Sequence, residues 1–204
     1  MGIQIIGNAG TVVEVDTNRN LYTRYGIPAY ATGQGGYTAA GGTAAVVAAA
    51  LAANTNLMSF RVSGSSTRHI YITRFTLEIH IATVGASAGV AGSIGLQRFT
   101  AATPTGGTAR TAARKDAANG SASDVTDIRD SNAALTGTAP TWGDLLDNWP
   151  VPVSTVGYAA EFVMEDKTDP VVLAANDGIG LRTQVAMAAT QTWQYTWNMD
   201  WFER

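Results

Sequence analysis

No cysteine occurs in the chain, so neither a disulfide nor a thiolate metal site can contribute to its fold or chemistry. Charge is scarce as well. Asp, Glu, Lys and Arg make up 14% of the residues, against roughly 25% in an ordinary globular domain. A surface so thinly charged is weakly protected against association, which suits a protein that works inside an assembly. The net charge of −3 and the pI near 5.3 give none of the basic footprint that nucleic-acid binding leaves, so no nucleic-acid partner is expected. The two histidines, His69 and His80, have opposite parity on one strand-like run. Simple alternation points them to opposite faces and denies them a shared metal. No apolar stretch is long enough to cross a bilayer: the longest weakly polar run, residues 44–53, is about half the ~20 residues required. Met1-Gly2-Ile3-Gln4 lacks the basic start and long apolar core of a secretory signal. The expectation is a soluble protein, intracellular when made, with no membrane partner.

What the chain does have is alternation. At 204 residues with 46% hydrophobic content it can hold one large β domain or two small ones. The clearest pattern closes the sequence. In 193–202, the odd positions read Trp193, Tyr195, Trp197, Met199 and Trp201, while Gln194, Thr196, Asn198 and Asp200 fill the even ones. Period two describes a strand with one apolar face, expected to be core. Phe202 breaks the polar face and is the place where this strand should touch a neighbour. Upstream, residues 3–24 read as a short β arm with turns at 7–10 and 17–20, marginal alone and in need of a surface to dock on. Residues 26–43 are rich in Gly, Ala and Tyr and read as a connector, extended or flexible. Residues 44–53 fit a short helix or an entering strand equally well. Strands are expected at 57–62, at 68–83 with Tyr71, Phe75, Leu77, Ile79 and Ile81 on one face, at 93–99, at 158–165, at 171–173 and at 179–187. Residues 101–141 read as long loops with weak strands near 108–113 and 125–129. Trp142–Trp149 reads as one helical turn ended by Pro150 and Pro152. Roughly eight short strands separated by turn signals spell an all-β, antiparallel β-sandwich or barrel. The division expected is a β arm and Gly-rich connector over 1–42, then a sandwich body over 43–204.

Few residues suggest chemistry. Gly85-Ala86-Ser87-Ala88-Gly89 matches a nucleophile-elbow string, but more glycine and a strand follow where a helix is needed, so Ser87 is not taken as catalytic. Asp124, Asp127 and Asp130 recur every third residue. Oxygen ligation of a cation such as calcium is conceivable, yet solvated loop carboxylates are the preferred reading and no metal or cofactor is expected. Arg110, Arg114 and Lys115 form a loose basic group that merely solvates a loop. Trp142 and Trp149 either stack on sugars or plug one end of the sandwich, and the plug is preferred.

Several stretches together resemble accessory virion proteins of tailed bacteriophages, in particular capsid decoration or cement proteins with a jelly-roll body. They are the arm from Gly10 to Leu21 with its glycine-rich connector, Ser66 to Phe75, Arg98 to Thr108, and Pro170 to Arg182. The resemblance implies a jelly-roll-like sandwich with no enzymatic step. It implies attachment to the outer surface of a capsid shell, with the major capsid protein and further copies of the chain as partners, and location on the virion after synthesis in the host cytoplasm. An arm that adds a strand to a neighbouring sheet edge supplies main-chain hydrogen bonds. The residues expected at such an interface are Ile3, Ile5, Val13, Val15, Leu21, Tyr25, Tyr30, Tyr37 and Phe202. The competing reading is a tail-fibre or receptor-binding head that recognises host surface glycans.

Overall fold

The computed structural model describes residues 5–6, 12–15, 21–22, 36–47, 51–83, 92–101, 103–115, 122–151, 159–165, 170–187 and 191–204. Among them there is no helix, and the strands follow one another as β1 (Ile5–Ile6), β2 (Val12–Val15), β3 (Leu21–Tyr22), β4 (Gly36–Gly42), β5 (Val46–Val47), β6 (Asn56–Val62), β7 (Ile70–Thr83), β8 (Gly92–Thr100), β9 (Thr103–Thr105), β10 (Thr108–Arg110), β11 (Ala113–Arg114), β12 (Val125–Asp130), β13 (Thr136–Thr138), β14 (Thr141–Val151), β15 (Ala159–Glu165), β16 (Val171–Leu173), β17 (Asp177–Thr183) and β18 (Thr192–Glu203). Short runs rich in Val, Ile, Thr and aromatics, separated by Gly, Asn and Pro, leave the backbone little alternative.

Strands β1 to β3 form a small antiparallel sheet of their own, with Ile5 opposite Val13 and Val15 opposite Leu21. The body is a sandwich of two antiparallel sheets. One carries β4-β18-β7-β15 and the other β6-β17-β8-β14. The pairing is nested: β4 with β18, β6 with β17, β7 with β15, β8 with β14. The first of these eight strands meets the last, the second the seventh, and so inward. This is one long hairpin rolled into two layers, the jelly roll. The segment between β8 and β14 extends both sheets, with β10-β12 added beside β6 and β11 beside β4.

The core lies between the sheets. Trp193, Tyr195, Trp197, Met199 and Trp201 are all buried, as the alternation of β18 requires. Trp201 meets Phe60 of the opposite sheet edge-on at 5.0 Å, and Phe75 stacks on Trp149 at 5.9 Å. These contacts join the layers, and aromatic pairs of this kind add about 0.5–1.5 kcal/mol beyond area burial.

Three expectations need correction, and one open alternative is decided. Residues 36–42, assigned to the connector, are strand β4 of the body, and Tyr37 is buried against Trp201 with ring centroids 5.8 Å apart. Residues 142–149 are not a helical turn but most of β14. Pro150 is tolerated there because β14 is the edge strand of its sheet among the described residues. Residues 46–47 pair with β18 as β5, which settles the helix-or-strand alternative at that point in favour of strand. Finally, β7 does not alternate uniformly. Its register against β18 passes from Arg74 to Ile72 while β18 moves only from Asp200 to Trp201. The extra residue, Thr73, is a bulge that reverses parity. Ile70 and Ile72 therefore face inward before it, Phe75 to Ile81 after it, and Tyr71 faces outward.

Candidate functional site

The bulge reshapes the histidine argument. Both His69 and His80 are exposed, so opposite parity is not what separates them. Eleven residues of extended chain at ~3.3 Å each still hold them about 35 Å apart, too far for shared chemistry.

The three aspartates do not converge either, and they are not solvated loop carboxylates. Asp124 lies just before β12, with Asp127 and Asp130 in it, and a different arginine takes each one: Arg68, Arg129 and Arg110. Asp130 faces inward and is fully buried; it accepts from Arg110 Nε and Nη2, both at 2.9 Å, and from Trp197 Nε1 at 2.9 Å. The loose basic group dissolves for the same reason. Arg110 is committed to Asp130 and Lys115 pairs with Asp200 at 2.8 Å, leaving Arg114 exposed.

A second buried network closes the end of the sandwich. Glu203 occupies the last inward position of β18 and is completely buried. Its carboxylate accepts from Arg68 Nη1 at 3.1 Å, from the Asp124 amide at 3.1 Å, from Ser123 Oγ and from Trp201 Nε1 at 3.2 Å. Arg68 also donates through Nε to Asp124 Oδ2 at 3.0 Å. That bond, helped by one from Ser66, holds the Asp124 carboxyl below its usual range against the opposing effect of burial. The network ties the start of β7, the entry to β12 and the chain's end into one clasp. Among the described residues no group of three or more His, Asp or Glu side chains is placed to hold a metal ion.

Of the expected interface residues, Ile3, Tyr25 and Tyr30 lie outside the described residues, as does Ser87. Ile5, Val13, Val15 and Leu21 lie on the strands of the arm sheet. Tyr37 is removed from the set, because its ring is sealed in the core. Phe202 is on the outer face of its sheet, half-buried. It stacks on Tyr71 with centroids 4.8 Å apart and planes within 1°, and the Arg204 guanidinium lies 5.2 Å from the Phe202 ring and 5.7 Å from Tyr71. Sequence reasoning missed Tyr71 because uniform alternation put it inside. It missed Arg204 because nothing local marks a cation that caps two rings.

The two tryptophans of β14 part company. Trp149 is buried on Phe75 and plugs the core. Trp142 is half-buried on the outer face, edge-on to Phe99 at 5.6 Å and 5.0 Å from the Arg182 guanidinium, beside an open cleft of about 300 Å³.

Comparison with protein-family models, with curated proteins and with solved structures finds no match in any of the three.

Proposed function

We propose that the chain is a non-enzymatic structural protein of a tailed-bacteriophage virion. It is a capsid decoration or cement protein that binds the outer surface of the shell and other copies of itself. The observation that carries the reading is the arm: three strands that, among the described residues, pair with one another and not with the jelly-roll body, whose buried core runs from Tyr37 to Trp201. A three-stranded sheet so short is marginal unless it lies on something else. An arm of this kind can attach to a neighbouring sheet edge by strand addition. The outward Tyr71–Phe202 pair adds an apolar contact on the body. Stabilisation then follows from mass action, since a protein that binds only the assembled lattice shifts the equilibrium towards it.

The test is density. Icosahedral reconstruction of particles carrying the full chain should show a jelly roll on the shell surface. A variant lacking residues 1–35 should keep the body's thermal transition and lose at least most of its shell occupancy. Full occupancy by that variant would exclude the arm as the attachment element, and density at the tail in place of the shell would exclude the decoration reading. The tail location would favour a receptor-binding head, a second reading supported by the cleft beside Trp142.

A further inference from the structure

At one end of the sandwich the turn between β16 and β17 faces the beginning of β14, and the cleft beside Trp142 lies between them. Its volume of about 300 Å³ is at the small end of the ~300–1,000 Å³ usual for ligand sites. Its lining combines three kinds of group: the aromatic rings of Phe99 and Trp142, the carboxylates of Asp144 and Asp177, and the guanidinium of Arg98, with Thr141 at the margin.

All of these groups but Asp144 are set in place before any ligand arrives. The Trp142 indole is set by Phe99, by Arg182 and by Gly180, whose missing side chain lets the ring edge come within 3.2 Å of where a Cβ would lie. Asp177 is fixed by its own turn: its Oδ2 accepts from the Ala174 amide at 2.9 Å, its amide donates to the Ala174 carbonyl at 3.0 Å, and Asn176 takes the left-handed φ of 67°. Arg98 Nη1 donates to the Val172 carbonyl at 2.8 Å, which anchors the guanidinium at the cleft wall. Asp144 is exposed and engages no hydrogen bond or ion pair among the described residues. Prefixed groups spare a ligand the cost of ordering them.

The chemistry selects a ligand class. Two carboxylates in the lining repel a phosphate or carboxylate, and a purely apolar ligand would desolvate them and Arg98 without offering new partners. A sugar ring meets every requirement. Its C–H face is apolar and suits an indole, while its hydroxyls donate to carboxylates and accept from a guanidinium. We propose that this cleft binds a neutral saccharide, with the ring laid on Trp142 and its hydroxyls on Asp144 and Asp177. The site is a property of the body and holds whether the protein sits on the shell or the tail.

Saturation-transfer NMR on the full chain tests it, using a panel of neutral hexoses, N-acetylhexosamines and their disaccharides, with glucuronic and sialic acids as anionic comparators. Calorimetry then follows on whatever binds. At least one neutral sugar should show transfer. Trp142→Ala and Asp144→Asn should each weaken it by roughly tenfold. Leu145→Ala, at an exposed neighbour outside the lining, should leave binding unchanged. Asp144→Asn alters an exposed side chain and keeps the test sound even if Trp142→Ala disturbs β14, which a thermal melt reports. No transfer from any neutral sugar, transfer from the anionic sugars alone, or binding that survives both cleft variants would each overturn the proposal. Shell attachment is read separately by density, so either result stands without the other.

Discussion

The Arg110–Asp130 pair offers the sharpest test of how this sandwich is held. The Asp130 side chain is 1% exposed and its carboxylate is saturated by Arg110 in a two-point fork and by the Trp197 indole. Gly41 leaves the space for it, since a Cβ there would lie 2.0 Å from Asp130 Oδ2. Arg110→Ala strands that carboxylate with the indole as its one remaining donor. Removing one partner of a fully buried pair costs about 3–5 kcal/mol. The Arg110 side chain, however, is 27% exposed, so water reaches part of the gap and the cost falls to about 2–3 kcal/mol. At about 2–4 °C per kcal/mol for a chain of this size, Tm should drop by roughly 5–10 °C. Urea unfolding followed by tryptophan fluorescence should give the same free-energy loss with an unchanged m-value. Arg114→Ala removes an exposed cation on the next strand along the chain and should stay within about 0.5 kcal/mol of the parent. If the Arg110 variant falls inside that same margin, the carboxylate is not dependent on its partner and the reasoning fails.

Stability should also depend on pH through Asp124. Its folded-state pKa is lowered from the ordinary 3.8, chiefly by the Arg68 hydrogen bond. The ionised form therefore favours folding, fully so above the ordinary value, and the contribution disappears as pH falls through the lower folded-state value. Asp124→Asn should lose stability at neutral pH and show a flatter acid limb in melts recorded from pH 7 downward; a parallel limb would place the acid sensitivity elsewhere. Tyr195→Phe removes the hydroxyl that donates to the Leu57 carbonyl at 2.8 Å, with the Ser131 carbonyl at 3.1 Å. Burial pushes that phenol up from its usual pKa, and deleting the hydroxyl should cost about 1–3 kcal/mol in equilibrium unfolding. A neutral effect would mean that Leu57 and Ser131 find other donors.

Much of the architecture was legible because strands announce themselves by period two. The inward face of β18 could be read residue by residue, and the weak strands near 108–113 and 125–129 were visible inside a loop-like stretch. What failed was whatever depends on a neighbour. Gly36–Gly42 has the composition of a linker, and pairing with β18 on one side and β11 on the other makes it a strand. Pro150 signals a helix end in isolation, yet an edge strand is where a sheet tolerates proline. The Thr73 bulge carries no local mark, so uniform alternation puts Tyr71 inside and sets His69 and His80 on opposite faces. Buried charge was invisible for the same reason. Asp130 looks like any loop acid until the jelly roll brings Arg110 and Trp197 to it, and Glu203 looks like a solvated terminus until Arg68 arrives.

The entry of β4, the Thr73 bulge and the buried Glu203 meet along the end of β18. In β18, Phe202 pairs with Gly36, so the chain enters the body opposite that residue. On the other side Phe202 pairs with Tyr71, and the Thr73 bulge is what turns Tyr71 outward to stack on it. One residue further, Glu203 faces in and is clasped by Arg68. The last turn of the hairpin roll thus separates two tasks by parity. Inward positions lock the sandwich shut, with the carboxylate clasp completing what the tryptophans begin. Outward positions leave an aromatic pair beside the point where the segment following the arm enters the body. An arm that grips a neighbour from there would bring this pair close to the same neighbour. Apolar contact and strand addition would then act at one place, while the core behind them stays whole.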